Sequence, residues 1–209
     1  MTIIICPGIH ETDLTASFIS ALVCADSDKS MSQDRYPSAI TNNEQLKIPQ
    51  LPNPHILVIP GEGILTLSGF HIWQFMHDRL HNELKSPVIF ISFSAGVVGA
   101  IAAATKWQMM GGNVKAFIAI DGWGVPLWGD FPIHRLSHDY FTHWSSLLLG
   151  SGQDNFYAEP SVDHLTMWRS PQTVQGWYVN SSKFTPTTSK TSLTASEFLH
   201  LLLKRYEHK

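Results

Sequence analysis

One serine of this chain stands where a reactive hydroxyl would be placed. Residues 88–99 have the sequence VIFISFSAGVVG, an apolar run that passes through Ser94 into a stretch of small residues. A nucleophile on a sharp strand-to-helix turn needs small residues two positions before and two after it. Ser92 and Gly96 meet this requirement for Ser94, whereas the same frame centred on Ser92 has Phe90 before it. Ser94 is therefore the predicted nucleophile, and the alternative is an ordinary helix-capping serine.

A serine hydroxyl needs a neighbouring base, and that base needs a carboxylate to orient it. We expect His164 to be the base because it lies in a loop after a short strand candidate, although the chain has 11 histidines. Three others remain as alternatives: His134, His138 and His143.

The expected acid is Asp121, which ends the strand that follows the serine turn. In open α/β sheets, ligands bind at the carboxyl ends of the strands, which is where Asp121 would lie. An aspartate before Gly122 is also a common turn former. The alternative acids are Asp130, Asp154 and Asp163.

The elements that must position these residues alternate between strand-length apolar runs and helix-length periodic segments. This alternation predicts an α/β fold with three layers, a mainly parallel sheet covered by helices on both faces. The strand candidates are Ile3–Cys6, Ile56–Ile59, Val88–Ser92, Val114–Ile120 and Phe156–Glu159. The helix candidates are Asp13–Val23, Gly69–Leu84 and Ala95–Met109, with a further helix inside Ser137–Leu149. Residues 25–54 are polar and are interpreted as a long surface connection.

An aromatic-rich stretch, residues 123–155, interrupts this alternation. We interpret it as an insertion that forms a lid or a substrate pocket, with Trp123, Trp128 and Phe131 as the pocket residues. Near the C-terminus, Ser181–Ser192 is interpreted as a linker. It precedes a helix that begins with a capping box at Thr194 and Glu197 and has Phe198, Leu201 and Leu202 on one face.

Composition narrows the classes of function. The chain has 209 residues, 44% of them hydrophobic and 15% charged, which predicts a single domain over residues 1–209. Its formal net charge of −3 and the absence of a basic cluster argue against nucleic acid as a partner. No apolar stretch approaches the ~20 residues that span a bilayer. The first residues do not resemble a signal peptide, so a cytoplasmic protein is expected.

No metal site is expected either. Cys6 and Cys24 show no ligand spacing, and His77 and His81 lack the glutamate of a zinc-protease motif. His134 and His138 are also four residues apart, but a zinc site needs a third ligand as well.

Taken together, three features resemble the α/β-hydrolase fold. They are the Ser-Phe-Ser-Ala-Gly turn, the early strand followed by Pro-Gly-Ile-His at residues 7–10, and the Ser, Asp, His order. The chain departs from the family where Ser92 replaces the first glycine of the turn. In the family the acid often follows the strand after next, whereas Asp121 follows the very next one, as in some lipase-type members.

The resemblance implies an oxyanion hole made from main-chain N–H groups. They would belong to Ala95, directly after the nucleophile, and to Ile9 or His10 after the early strand. Ala95 also begins a predicted helix, whose N-terminal amides favour developing negative charge.

These observations lead us to expect a serine hydrolase that cleaves a small-molecule ester or thioester with an apolar acyl portion, without a cofactor. A second hypothesis rests on residues 56–63, ILVIPGEG, which are similar to class I glutamine amidotransferases and peptidase E-type peptidases. Gly61–Gly63 would then supply the oxyanion hole for an amide substrate. A third hypothesis is a non-catalytic module that binds a ligand in the same pocket.

Overall fold

The computed structural model describes residues 1–24, 55–60, 63–80, 83–150, 152, 154–180 and 190–207. The strands within them are β1 (Thr2–Cys6), β2 (His55–Val58), β3 (Val88–Phe93), β4 (Val114–Ile120), β5 (Ile133–Ser137), β6 (Asp154–Ala158), β7 (Gln175–Asn180) and β8 (Lys190–Thr194). The α-helices are α1 (Thr12–Cys24), α2 (Gly69–Arg79), α3 (Gly96–Met109), α4 (Tyr140–Leu147), α5 (Thr166–Arg169) and α6 (Ala195–Glu207). Short 3₁₀ helices span Gly63–Leu67 and Pro171–Thr173.

All of these strands join one mixed, mostly parallel sheet in the order β2-β1-β3-β4-β5-β6-β7-β8. The pairs from β2 to β6 are parallel, and β7 and β8 add antiparallel pairs at one edge. The central strands β1 and β3 are buried along their whole length. This explains their nearly continuous runs of isoleucine, valine and phenylalanine, because a parallel strand covered on both faces has no polar side.

Helices cover both faces of the sheet. Ile3 and Ile5 of β1 belong to a core that includes residues of α1 and α6, such as Phe18 and Phe198. Ile4 and Cys6, which alternate with them, belong to a second core with residues of α2 and α3. Successive side chains of a strand point to opposite faces, so one apolar strand supplies both cores.

The strand order reverses between β1 and β3, because β2 lies on one side of β1 and all later strands lie on the other. From β1 the chain crosses to β2 on one side and then returns to add β3 and the later strands on the other side. In such sheets the carboxyl ends of the two central strands open into a crevice that binds ligands. The residues after β1, β3 and β4 all lie at this edge.

The α/β class and the mainly parallel sheet agree with the prediction. Strands β1 to β4 and β6, helices α1, α3 and α4, and the C-terminal helix lie where the sequence pattern placed them, within a few residues. Helix α2 is shorter than predicted: it ends at Arg79, whereas the prediction extended it to Leu84. The predicted connection at 25–54 lies outside the described residues.

The sequence patterns did not predict three of the strands, β5, β7 and β8. β5 and α4 lie within residues 123–155, so the alternation of strands and helices continues in the stretch that was expected to interrupt it. The role of this stretch as a lid remains a prediction. β5 contains His134 and Arg135, whose polarity hid the strand although both side chains are buried.

At the antiparallel edge, β7 was not predicted, and β8 begins at Lys190, inside the predicted linker. The remainder of that linker, residues 181–189, is outside the described part of the chain.

The C-terminal helix begins as predicted. The Thr194 N–H donates to Glu197 Oε2 at 2.9 Å, and the Glu197 N–H donates to Thr194 Oγ1 at 3.1 Å. Phe198 and Leu202 are buried, but Leu201 is 37% exposed and lies off the core-facing side. None of the helices among the described residues combines the length and the apolar character needed to cross a bilayer.

Candidate active site

Ser94 lies on a tight turn between β3 and α3. Its φ is 51°, a left-handed conformation that is rare for residues other than glycine. The following turn approaches the end of β1 so closely that a Cβ on Gly96 would lie 2.3 Å from the carbonyl oxygen of Pro7. Glycine is therefore required at this position, which explains the small residue two positions after the serine.

The structure brings Ser94, His164 and Asp121 into one chain of hydrogen bonds. His164 Nε2 lies 3.0 Å from Ser94 Oγ, and His164 Nδ1 lies 2.9 Å from Asp121 Oδ2. An ionised carboxylate only accepts hydrogen bonds, so Nδ1 carries the proton and Nε2 accepts from the serine hydroxyl. This tautomer is the one that a general base next to a serine requires.

His164 is placed by the loop between β6 and α5, with a ring stack behind it. Its imidazole stacks on Phe93 with ring centroids 4.7 Å apart, and Phe93 in turn stacks on Trp168 at 5.0 Å. Phe93 is the residue directly before Ser94. The strand that leads to Ser94 therefore also supports, through Phe93, the imidazole of His164 that contacts Ser94.

Asp121 occupies the end of β4, beside the serine turn, and its carboxylate is almost fully buried. It accepts hydrogen bonds from His138 as well as from His164: the His138 main-chain N–H lies 2.8 Å from Oδ1, and His138 Nδ1 lies 3.0 Å from Oδ2. Burial alone would raise the pKa of Asp121, but the hydrogen bonds from His138 and His164 together outweigh it and lower this pKa below its ordinary value. Asp121 is thus an anion at neutral pH.

The first main-chain amides of α3 lie next to the serine. Ala95 is the N-cap residue of this helix, and helix geometry leaves its first N–H groups without intrahelical acceptors. Gly8, after β1, also approaches closely, because a Cβ there would lie 3.0 Å from Ser94 Cβ. Ala95 lines the cleft around Ser94, whereas Ile9 and His10 do not.

A cleft of about 440 Å³ opens beside Ser94 and His164. Its apolar wall consists of Leu67, Val98, Trp123 and Val125, and Thr142 and His138 add polar groups. Of the three predicted pocket residues, only Trp123 lines it. Phe131 is instead buried in the core with its ring 6.3 Å from that of Phe117, and Trp128 is exposed elsewhere.

The alternative histidines have other surroundings. His134 Nε2 lies 2.8 Å from the Tyr206 hydroxyl, and the residue is completely buried. His143 packs against the rings of Tyr140 and Tyr157. Of these three histidines, only His138 joins His164 at the Asp121 carboxylate.

The alternative aspartates also lie away from His164 Nδ1. Asp154 is paired with Arg205 and accepts from the Tyr178 hydroxyl at 2.6 Å. Asp163 accepts from the Leu165 N–H at 3.2 Å. Asp130 is exposed on the connection before β5.

Sequence reasoning missed two residues that organise the site. His138 was considered only as an alternative base, although it is the first residue after β5. Arg135 was not considered: its buried guanidinium donates to the carbonyl oxygens of Gly150 at 2.9 Å, Val125 at 3.0 Å and Leu149 at 3.2 Å. It therefore ties the segment after Asp121 to the end of α4. A buried arginine without a sequence-adjacent carboxylate gives no pattern that would have revealed this role.

The same edge of the sheet offers atoms that a metal ion also uses. One ligand atom each from Asp121, His138 and His164 lies within 4.8 Å of the others. We assign these atoms to hydrogen bonding, because each imidazole contacts the carboxylate through Nδ1 and His164 Nε2 contacts Ser94. Of the other metal candidates, His81 lies outside the described residues, whereas His134 contacts the Tyr206 hydroxyl and His138 contacts Asp121.

The amidotransferase-like hypothesis places the oxyanion hole at Gly61–Gly63. Gly61 and Glu62 lie outside the described residues. Gly63 begins a 3₁₀ helix with φ of 56°, and it does not line the cleft at Ser94.

A comparison with models of known protein families gives no match, and neither does a comparison with curated proteins. Any assignment of function therefore depends on the geometry of the site itself.

Proposed function

We propose that this protein is a serine hydrolase of the α/β-hydrolase type that cleaves an ester or thioester with an apolar acyl portion. One observation carries the proposal: His164 contacts the Ser94 hydroxyl at 3.0 Å through one ring nitrogen and Asp121 at 2.9 Å through the other. An accidental contact would not require the left-handed serine turn or the buried carboxylate that accompany it.

In the first half of the reaction, Ser94 Oγ attacks the acyl carbonyl carbon while its proton moves to His164 Nε2. The negative charge on the carbonyl oxygen is stabilised by the Ala95 N–H, with Ile9 or His10 as the proposed second donor. When the tetrahedral intermediate collapses, the bond to the leaving oxygen or sulfur breaks. His164 returns its proton to that leaving group, and the acyl group stays on Ser94.

In the second half, water replaces the leaving group. His164 removes a proton from the water as its oxygen attacks the acyl carbon, and the proton then passes to Ser94 Oγ as the acyl bond breaks. The products are a carboxylic acid and the free serine. Asp121 keeps its charge throughout and stabilises the imidazolium that forms twice in the cycle.

The cleft supports the apolar acyl portion of the proposal. Leu67, Val98, Trp123 and Val125 present aliphatic and aromatic surface next to the nucleophile. Burial of apolar surface contributes roughly 25 cal/mol per Å², so an acyl chain gains more affinity from this wall than a polar substrate does.

Fluorophosphonate labelling tests the proposal directly, because the reagent reacts with activated serines. We expect one adduct, which peptide mapping assigns to Ser94 and which is lost in Ser94→Ala. Ser92→Ala is the matched control: its hydroxyl is buried and donates to the Ile118 carbonyl oxygen at 3.2 Å, so labelling should persist.

Two results would contradict the proposal. An adduct on another serine would show that the serine turn is not the reactive site. A folded protein that takes no label would favour the non-catalytic binding module. Where Ser94 is labelled, p-nitrophenyl esters and acyl thioesters of increasing chain length would then define the substrate.

A further inference from the structure

A second histidine is attached to the carboxylate that orients His164. His138 contacts Asp121 twice, through its main-chain N–H to Oδ1 at 2.8 Å and through Nδ1 to Oδ2 at 3.0 Å. Oδ2 is the same oxygen that accepts from His164 Nδ1. The two imidazoles meet edge to face with ring centroids 6.0 Å apart.

The fold places His138 at this carboxylate. It directly follows β5, the neighbour of β4, so its backbone begins at the same edge of the sheet as Asp121. The Asp121 N–H in turn donates to the Leu136 carbonyl oxygen of β5 at 2.8 Å. The contact is therefore built into the register of two paired strands, and His138 also lines the cleft.

The charged groups around His138 favour its protonated form. Asp121 faces it from the end of β4, Asp139 lies 3.7 Å from its Nε2, and Asp163 and His164 face it from the loop before α5. The hydrogen bond to Asp121 is the main cause that raises the pKa of His138 above its ordinary value, against the opposing effect of burial. His138 thus gains a proton more readily than an isolated histidine.

We propose that His138 is a positioning residue for the serine hydrolase reaction, and that its protonation lowers the activity by acting through the Asp121 carboxylate. In its neutral form it donates through Nδ1 and holds Asp121 in the orientation that His164 needs. In its protonated form its positive charge opposes formation of the imidazolium at His164. This inference rests on the proposed function and adds a second ionisation to it.

Both imidazoles contact the same Asp121 oxygen through Nδ1, so we expect protonation of His138 to weaken His164 as a base. Full activity therefore requires that both histidines are neutral. His164 must be neutral to act as the base, and His138 must be neutral so that its positive charge no longer opposes the imidazolium that forms at His164. The logarithm of the rate should rise with pH with a slope approaching 2 below both ionisations, instead of the slope of 1 that a single base gives.

The test measures the rate of fluorophosphonate labelling of Ser94 from pH 5 to 9 in the wild type and three variants. His138→Asn places an amide N–H where Nδ1 lies and removes the charge. His138→Ala removes both the donor and the charge. His77→Asn, on α2, is the matched control for a histidine that lies outside the cleft.

We expect a slope approaching 2 in the wild type and in His77→Asn, and a slope of 1 in His138→Asn. At pH 8.5, His138→Asn should label within a few-fold of the wild type, whereas His138→Ala should be about ten-fold slower because Asp121 has lost a donor. If His138→Asn labels normally while His138→Ala is slow, the slow labelling of the alanine variant comes from the missing donor and not from misfolding. Equal slopes of 1 in the wild type and His138→Asn would overturn the inference, as would equal rates for the alanine variant and the wild type.

Long-range ¹H–¹⁵N NMR of the imidazoles supplies a readout that does not depend on labelling. Neutral His138 should be protonated at Nδ1, and its titration should shift when His164 is replaced by asparagine. Protonation at Nε2 would overturn the inference. A wild type that takes no label at any pH would overturn the proposed function and this inference with it, whereas a labelled Ser94 with an unchanged profile overturns only the role of His138.

Discussion

Ser94 and Asp121 directly follow neighbouring strands, and both have a left-handed φ, of 51° and 50°. The residues before them, Phe93 and Ile120, are register partners, and the Ser94 N–H donates to the Ile120 carbonyl oxygen at 2.9 Å. A left-handed non-glycine residue costs about 1–3 kcal/mol, so two at the same level of one sheet require support from their surroundings. We infer that these two turns aim the hydroxyl and the carboxylate at the same imidazole.

Replacement of Asp121 by asparagine should reduce kcat on the order of 10⁴-fold. The amide oxygen would accept from the His138 main-chain N–H, which leaves the NH2 group facing His164 Nδ1. Nδ1 must then accept, so the proton moves to Nε2 and His164 can no longer take the serine proton. Asp163→Asn is the matched control, because Asp163 is next to His164 in sequence but bonds to the Leu165 N–H. Hydrolysis of p-nitrophenyl butyrate by the two variants measures the difference. Equal activity in both variants would exclude Asp121 as the orienting acid.

Trp123 should determine the preference for acyl length. Its indole lines the cleft, so Trp123→Ala should lower kcat/KM for a long acyl chain about ten-fold more than for acetyl, or ~1.4 kcal/mol. Trp128→Ala is the control, since Trp128 is similarly exposed and does not line the cleft. A series of p-nitrophenyl esters from acetate to octanoate measures the ratio. If both variants change it equally, the acyl group binds elsewhere.

How far the sequence predicts this molecule depends on how each strand is buried. β1, β3 and β4 are covered on both faces by apolar residues, and their continuous apolar runs predicted them. β5 is equally buried, but it contains His134 and Arg135, whose polar atoms find partners only in the folded chain. A search for apolar runs cannot find such a strand.

The same distinction applies to the site. Ser94 was predictable because the steric demands of its turn act on adjacent residues, and Asp121 and His164 because they follow strand candidates. His138 depends on a strand that was not recognised, so its contact with Asp121 could not be anticipated. The placement of Phe131 failed for a related reason, because nothing in the sequence distinguishes an aromatic side chain that fills the core from one that lines a cleft.

Arg135 should contribute to stability, although its hydrogen bonds go to main-chain carbonyl oxygens and not to the side chains of Ser94, His164 or Asp121. Burial lowers the pKa of Arg135 to about 10, which still leaves it protonated at neutral pH, and its guanidinium donates to four carbonyl oxygens of the surrounding loops, those of Gly122, Val125, Leu149 and Gly150. Arg135→Met would leave these acceptors without a donor, at a cost of about 1–3 kcal/mol for each that stays buried. Urea unfolding compares it with Arg169→Met, which removes an exposed arginine of α5. Equal stability of the two variants would contradict this role.

The stability of the protein should fall as the pH falls from 6.5 to 5.0, and His134 should be one cause. Burial is the main reason that the pKa of His134 lies below its ordinary 6.5. The unfolded chain therefore binds a proton at this residue that the folded chain does not, and the free energy of unfolding decreases by up to ~1.4 kcal/mol per pH unit in this range. The raised pKa of His138 acts in the opposite direction in this interval, and the lowered pKa of Asp121 acts mainly below it.

Urea unfolding at pH 6.5 and 5.0 measures the contribution of His134 as a difference between variants. His134→Gln keeps a polar group near the Tyr206 hydroxyl but removes the titration, so its stability should change less between the two pH values than that of the wild type. His71→Gln, on α2, should retain the wild-type change. A wild-type pH dependence that persists in His134→Gln would assign the acid sensitivity to another group.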